Sequence, residues 1–554
     1  MTAQAITAPH MDSKPAARLP LAGSAVWPAA AIGLLLAFQL SMVFTRAINW
    51  DEFWFYYHVA DFARDNLAQP LQSLHVRLFA WLPGMSGSGV DKIVTARLAM
   101  LGCEMVTLGA IYAIARKFVE RPVALCAALL YLSAGFVLQH GFSFRTDPMA
   151  TAALMSALAL LARARLAVLP LAAFALLVAA AGLITMKAVL FAPAFLGLAW
   201  MRWSEDRFAV ATALRMVAAG IAAIGAFAAL YWWHSSALTE ATEGTAMAAG
   251  ASRWMFFLGV PPYWQMGVKA ALTAPVLTLL ALAAPFAIWR SELSRGAKWG
   301  LTGLWLPLLL PLFYTNTAAY FYAFMLAPVT VSVVIALQAA LKRYSLRLIV
   351  AVLAVMATGI FAIEDREAID RQRAVVETAE ALLPAGTAYF DHNGMVPGLD
   401  KANWLVTPAA LEAYRRNGTP TYRETMESRP VPMLLANDAT IEAALEDRYS
   451  PLLPADTAAL RDNYVSFWGP IHIAGREFAP GSDTEVAMLV PGTYTVIGGP
   501  AVIDGTSHAS GSLVEITRGM HRVETGEHPL RLQWGDNLAP PAEGWDDGEL
   551  YVGF

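Results

Sequence analysis

The chain has 554 residues, 57% of them hydrophobic and only 15% charged, with a net charge of −4 and a mean hydropathy of +0.48. A soluble domain is about 25% charged, so this composition excludes a soluble globular protein, and no nucleic-acid partner is expected. Cys103 and Cys126, both inside apolar runs, leave no disulfide framework and no cysteine-based zinc site.

The first 20 residues are polar and lack the apolar core of a signal peptide. The apolar run 25–44, about one bilayer core long, therefore reads as a retained anchor. Directly after it stands Asn49-Trp50-Asp51-Glu52-Phe53, an acidic pair inside an aromatic run that ends at Tyr57. The pair has two readings: a catalytic or metal-binding centre, or an interfacial helix whose acids face water and whose rings form an aromatic belt. The outer loop 47–91 continues through an apolar stripe suited to a helix lying in the interface, with His75 and Arg77 on it.

Further apolar runs at 93–115, 122–140, 148–162, 166–185, 188–200, 209–233, 264–289, 299–314, 319–340 and 346–363 bring the expected spans to eleven. Residues 166–200 are too long for one span, and Lys187 near their middle is costly at the bilayer centre. Two short spans with Lys187 at the turn resolve this. The count places Arg116, Lys117 and Arg121, Arg163 and Arg165, Arg202 and Arg207, Arg290, Arg295 and Lys298, and Lys342, Arg343 and Arg347 on one side with Lys14 and Arg18. That is the positive-inside pattern. The amino terminus is then cytoplasmic, and Asp51, Glu52, the 141–147 turn, Lys187 and the carboxyl-terminal part share the outer face.

Beyond 363 the composition changes. Strand-like 388–390 and 432–435 flank a helical 408–416, which suggests a small α/β domain over 364–480. Strand-like segments at 485–490, 493–497, 512–516, 521–524 and 530–534, separated by Gly, Pro and Asp, suggest a β-rich domain over 481–554. The expected architecture is a polytopic α-helical membrane domain, 1–363, followed by these two extracytoplasmic units.

On the outer face, Phe144-Arg145-Thr146-Asp147-Pro148 joins two spans. Pro148 suits the first turn of a helix and Asp147 its N-cap. Arg145 reads either as an interfacial cation or as an anion clamp, since guanidinium matches phosphate oxygens in a fork. Lys187 either snorkels or supplies a point charge to a phosphate. The 234–262 loop carries Glu240, Glu243 and Arg253 beside aromatics and suits a lid over a groove. Tyr314 to Tyr322, with Tyr320 and Tyr322, is a belt or a sugar-stacking surface. No P-loop, dinucleotide fingerprint or HExxH motif is present, so the substrate arrives already activated in the membrane.

An acidic pair after the first span, an Arg-x-Asp turn after the third and a soluble outer tail together resemble the GT-C glycosyltransferases. The likeness is to the bacterial branch of protein O-mannosyltransferases and the aminoarabinose transferase of lipid A, and it covers about residues 25–340. It implies a polyprenyl-phosphate sugar donor and a glycan, lipid or protein acceptor at the outer face of the bacterial inner membrane. It also implies an inverting displacement with Asp51 as general base and Glu52 as its partner. Arg145 and Lys187, with His75 and Arg77 behind them, would hold the donor phosphate, while Asp147, Tyr320, Tyr322 and Arg253 would contact substrate. No cofactor is required by this reading; a divalent ion, if used, sits at Asp51. The competing classes are a ligase or polymerase of lipid-linked oligosaccharide, and a transporter, for which an internal repeat and mid-membrane charges are expected.

Overall fold

The computed structural model describes residues 25–66, 74–237, 255–403, 408–446 and 448–551. It is a multi-pass helical membrane protein with a carboxyl-terminal sheet region. The membrane part begins with α1 (Val26–Thr45), α2 (Trp50–Ala63), the short α3 (Leu74–Leu78), α4 (Gly89–Ala115), α5 (Arg121–Leu132), α6 (Gly135–His140) and α7 (Thr146–Arg163). It continues with α8 (Val168–Ile184), α9 (Ala192–Glu205), α10 (Val210–Ser235), α11 (Trp264–Thr273), α12 (Pro275–Arg290), α13 (Arg295–Trp305), α14 (Phe321–Ser332), α15 (Val334–Ala340) and α16 (Leu346–Ala362).

Among the described residues, α1, α4 and α10 are each long and apolar enough to cross a bilayer alone. The pairs α11–α12 and α14–α15, bent by 103° and 59°, bring the number to five if each pair is one span. Some of the other apolar runs are broken into two elements. The 122–140 run splits into α5 and α6, and 299–314 passes from α13 into a 3-10 turn, Leu306–Leu312, holding Pro307 and Pro311. The 166–200 run divides into α8 and α9 around a 3-10 turn, Met186–Phe191, that contains Lys187.

Exposed Leu214, Val217, Ile221 and Ile224 give α10 an apolar outer face, as expected of a helix against lipid. Where α9 meets α13 the backbones touch: a Cβ on Gly303 would lie 2.5 Å from the Pro193 carbonyl oxygen. Small residues there permit the close approach that packs membrane helices.

Outside the membrane part, α17 (Ala368–Leu382) leads into β1 (Ala388–Phe390), β2 (Asp400–Lys401), β3 (Met433–Leu435), β4 (Tyr464–Trp468) and β5 (Ile471–Phe478). Then follow β6 (Asp483–Met488), β7 (Gly492–Gly498), β8 (Ala501–Ile503), β9 (Thr506–His508), β10 (Leu513–Ile516), β11 (Gly519–Thr525) and β12 (Leu530–Trp534). One sheet has the order β10-β7-β12-β5-β3-β1-β2, with β4 also on β5; the second is β6-β11-β8-β9. The boundary expected at 480 thus falls within a continuous sheet, because β5 pairs with β3 before it and β12 after it.

The soluble part is bonded to α2 and the residues just before it. Gln372 on α17 exchanges two hydrogen bonds with the Ile48 backbone, at 2.8 and 2.7 Å. Asn393 Nδ2 donates to the Trp50 carbonyl at 3.1 Å, and the Lys401 N–H donates to the Tyr57 hydroxyl at 3.0 Å. Gly394, at φ +76°, presses on Tyr57, and a Cβ there would come within 2.8 Å of the ring.

Candidate active site

The site is built at the start of α2. Asn49 and Glu52 form a capping box: Asn49 Oδ1 accepts from the Asp51 N–H at 3.0 Å, and the Asn49 N–H donates to Glu52 Oε2 at 3.0 Å. The rest of the Glu52 carboxylate is also engaged. Arg97 on α4 grips it in a fork, Nε to Oε1 at 2.8 Å and NH2 to Oε2 at 2.6 Å, and the Phe144 N–H donates to Oε1 at 2.7 Å. Arg97 also donates to the carbonyls of Arg46 and Ala47, at 2.8 and 2.9 Å, just past the end of α1. Burial would raise the Glu52 carboxyl, but Arg97 and the two backbone N–H groups outweigh it and hold it below the usual carboxylate range. Glu52 therefore locks α1, α2, α4 and the 141–145 turn together, and it is buried with Arg97.

Asp51, its neighbour, points elsewhere, since successive helical residues are about 100° apart. Its side chain is 24% exposed and pairs with NH1 of Arg145. The Arg145 guanidinium lies on the Tyr320 ring, 3.3 Å from its centroid, with Phe55 at 5.5 Å. Its Nε faces Asp147 Oδ2 at 3.4 Å, and Lys187 Nζ donates to Asp147 Oδ1 at 2.6 Å. Burial would lower the Arg145 pKa; Asp51, Tyr320 and Asp147 outweigh it and raise it above the ordinary value, so the cation is permanent. The result is a chain of alternating charge, Asp51, Arg145, Asp147, Lys187, of which only Asp51 is substantially exposed.

No family model matches the chain, and no curated relative does. Solved structures do. ArnT from Cupriavidus metallidurans, bound to undecaprenyl phosphate, superposes with a TM-score of 0.53 at 12% identity, covering 77% of this chain and 96% of that one. The apo oligosaccharyltransferase of Archaeoglobus fulgidus superposes with a TM-score of 0.51 at 11% identity, covering 91% and 77%. The chain shares the fold of these two proteins.

The other expected residues differ in where they stand. Asp147 lies in the first turn of α7 behind its N-cap, Arg145, which makes no side-chain cap; its carboxylate binds Lys187 and Arg145 instead of capping. Tyr320, whose hydroxyl donates to Asn316 Oδ1 at 2.9 Å, is the floor under Arg145. His75 stands behind the site: its Nε2 is 3.3 Å from the Phe55 carbonyl oxygen, and its ring meets the edge of Phe55. Nearby His58 is pushed down to about 3 by burial and by His75. Arg77 is turned away, donating from Nε to His234 Nδ1 at 3.0 Å and stacking on Trp233 at 4.2 Å. Tyr322 faces Phe136 and α11, not Arg145. Arg253 lies outside the described residues.

Sequence reasoning missed Arg97. The available signal was an arginine inside the apolar run 93–115, which demands an internal partner. It also missed an apolar cavity of about 770 Å³ between α7, α8, α9 and α10. Leu154, Phe174, Phe195 and Phe227 line it, together with Ala188 and Val189 from the turn that holds Lys187. Among the described residues no three His, Cys, Asp or Glu side chains gather within reach of one metal ion. Asp51 and Asp147 each face a cation.

Proposed function

We propose that this protein is a glycosyltransferase that moves a monosaccharide from a polyprenyl-phosphate donor to an acceptor hydroxyl at the outer face of the inner membrane. The observation behind this reading is the alternating-charge chain that ends at one exposed carboxylate, set next to an apolar cavity. Arg145 and Lys187 supply two buried cations for a lipid phosphate, and Ala188 and Val189 continue from Lys187 into a cavity suited to an isoprenoid tail. The undecaprenyl phosphate bound to ArnT is a ligand of this chemistry.

In the reaction, Asp51 accepts the proton of the acceptor hydroxyl as its oxygen attacks the anomeric carbon. The bond from that carbon to the phosphate oxygen breaks, and its electron pair leaves with the phosphate. One displacement gives inversion through an oxocarbenium-like transition state. Charge that develops on the leaving phosphate is met by cations already in place. Tyr320 holds Arg145 flat. Glu52 touches neither substrate and acts as a positioning residue, fixing the helix start that presents Asp51.

Asp51→Asn is expected to reduce transfer from polyprenyl-phosphate sugar by about 10²–10⁴-fold, the usual worth of a general base, while the protein still inserts. Lys187→Ala is expected to raise the donor KM. Transfer measured in membranes supplied with donor decides this: near wild-type turnover by the Asp51→Asn protein would remove Asp51 from the role.

A further inference from the structure

Resting on the glycosyl-transfer reading, we propose that Asp51 and the donor phosphate compete for the same guanidinium, Arg145, so that the donor releases the base that will act on its own sugar. Three observations lead to this. The first is that Arg145 has little free perimeter. Tyr320 covers one face at 3.3 Å, the Nε edge is turned to Asp147, NH1 is paired with Asp51, and the residue is 4% exposed. A phosphate oxygen that reaches the outer edge of the guanidinium meets the Asp51 carboxylate already there.

The second is that the two acids are not equivalent. Asp147 is buried and joins Lys187 and Arg145 at once, one oxygen to each. It is a fixed counter-ion. Asp51 is 24% exposed at the side chain, stands at a helix start and has one cationic partner. Of the two it is the one that can swing away at low cost.

The third is charge. Arg145 and Lys187 are balanced by Asp51 and Asp147, so the set is neutral at rest. A phosphodiester adds one negative charge beside Asp51, and like charges sharing one cation in a poorly hydrated site repel strongly. Departure of Asp51 relieves the repulsion and frees its carboxylate from the guanidinium, so that both oxygens can reach an acceptor hydroxyl. During transfer the proton from the acceptor neutralises Asp51 while the leaving phosphate gains one negative charge. Net charge is conserved, and Arg145, already on the phosphate, meets the charge that develops there.

A counter-intuitive result follows: removing the base should improve binding of the donor's anionic half. The test uses the purified full-length protein and farnesyl phosphate as probe, titrated by calorimetry in detergent. Asp51→Asn and Asp51→Ala are each expected to tighten binding by about tenfold, the worth of one charge-assisted contact released. Adding Arg145→Ala to either variant is expected to abolish the gain. Equal or weaker binding by both Asp51 variants overturns the competition, whereas the transfer reading falls separately if wild-type protein fails to bind the probe at all. Inorganic phosphate serves as the second arm: binding as tight as that of farnesyl phosphate would overturn the assignment of a lipid-linked ligand, and much weaker binding supports it.

Discussion

Asp51 and Glu52 are adjacent in sequence and opposite in use. Glu52 is consumed by a capping box, a backbone N–H and the fork of Arg97, while Asp51 stays accessible at the end of an ion-pair chain. The two variants should therefore fail differently. Arg97→Ala leaves Glu52 as an unpaired buried charge and should lower stability by about 3–5 kcal/mol, seen as a large drop in detergent melting temperature. Asp51→Asn should melt within a few degrees of wild type. Equal loss of stability in both would show that the pair is one structural unit. The motif announced an important pair; which carboxylate faces outward depended on Arg97, 45 residues away, and no local signal encodes that pairing.

At the scale of elements, breaks in regular structure place the cations. Lys187 sits in a 3-10 turn between α8 and α9, and Arg145 in the turn before α7. Both turns were legible, one from an apolar run too long for a single span and the other from Pro148. Strands β6, β7, β10, β11 and β12 were also legible, by alternation between turn residues. β5 was not: Ile471-His-Ile-Ala-Gly-Arg-Glu-Phe478 mixes polar residues with Gly475, and Ile473, Ala474 and Gly475 are all buried in succession, so the strand does not alternate. Gly394 joins the soluble part to α2. Gly394→Ala places a side chain in the left-handed region and against Tyr57, costing about 1–3 kcal/mol in backbone strain alone. The expected outcome is faster hydrogen exchange in α2 and reduced turnover; unchanged exchange would separate the soluble part from the presentation of Asp51.

Across the whole molecule, the soluble part is tied to the helix that carries Asp51, through Gln372, Asn393 and Lys401 on Ile48, Trp50 and Tyr57. Its own centre is a fully buried pair, Lys401 Nζ to Asp391 Oδ1 at 2.7 Å. Burial would raise the Asp391 carboxyl, but Lys401 and the N–H groups of Met395 and Gly394 outweigh it and hold it below its ordinary value. A depressed folded pKa contributes stability that is fully present above the unfolded value, near about 4, and is lost as pH falls through the folded value. The 388–403 segment should therefore loosen in acid, below about pH 4, as read by hydrogen exchange of the intact protein. Asp391→Asn should remove that dependence and destabilise the region by about 3–5 kcal/mol at neutral pH. An acid response that persists in the variant would assign it to other carboxylates.

By itself the sequence determined the membrane class, the break at Lys187, the strand-rich tail and the residues Asp51, Arg145 and Lys187 as candidates. These follow from hydropathy, period and local turn chemistry, which act over a few residues. Only the tertiary structure decided that Asp51 faces Arg145 while Glu52 faces Arg97, that Arg77 turns to His234, and that the tail is bonded to α2. It also decided that one sheet runs through residue 480. Each is a pairing between segments tens to hundreds of residues apart, chosen by burial and charge satisfaction across the fold.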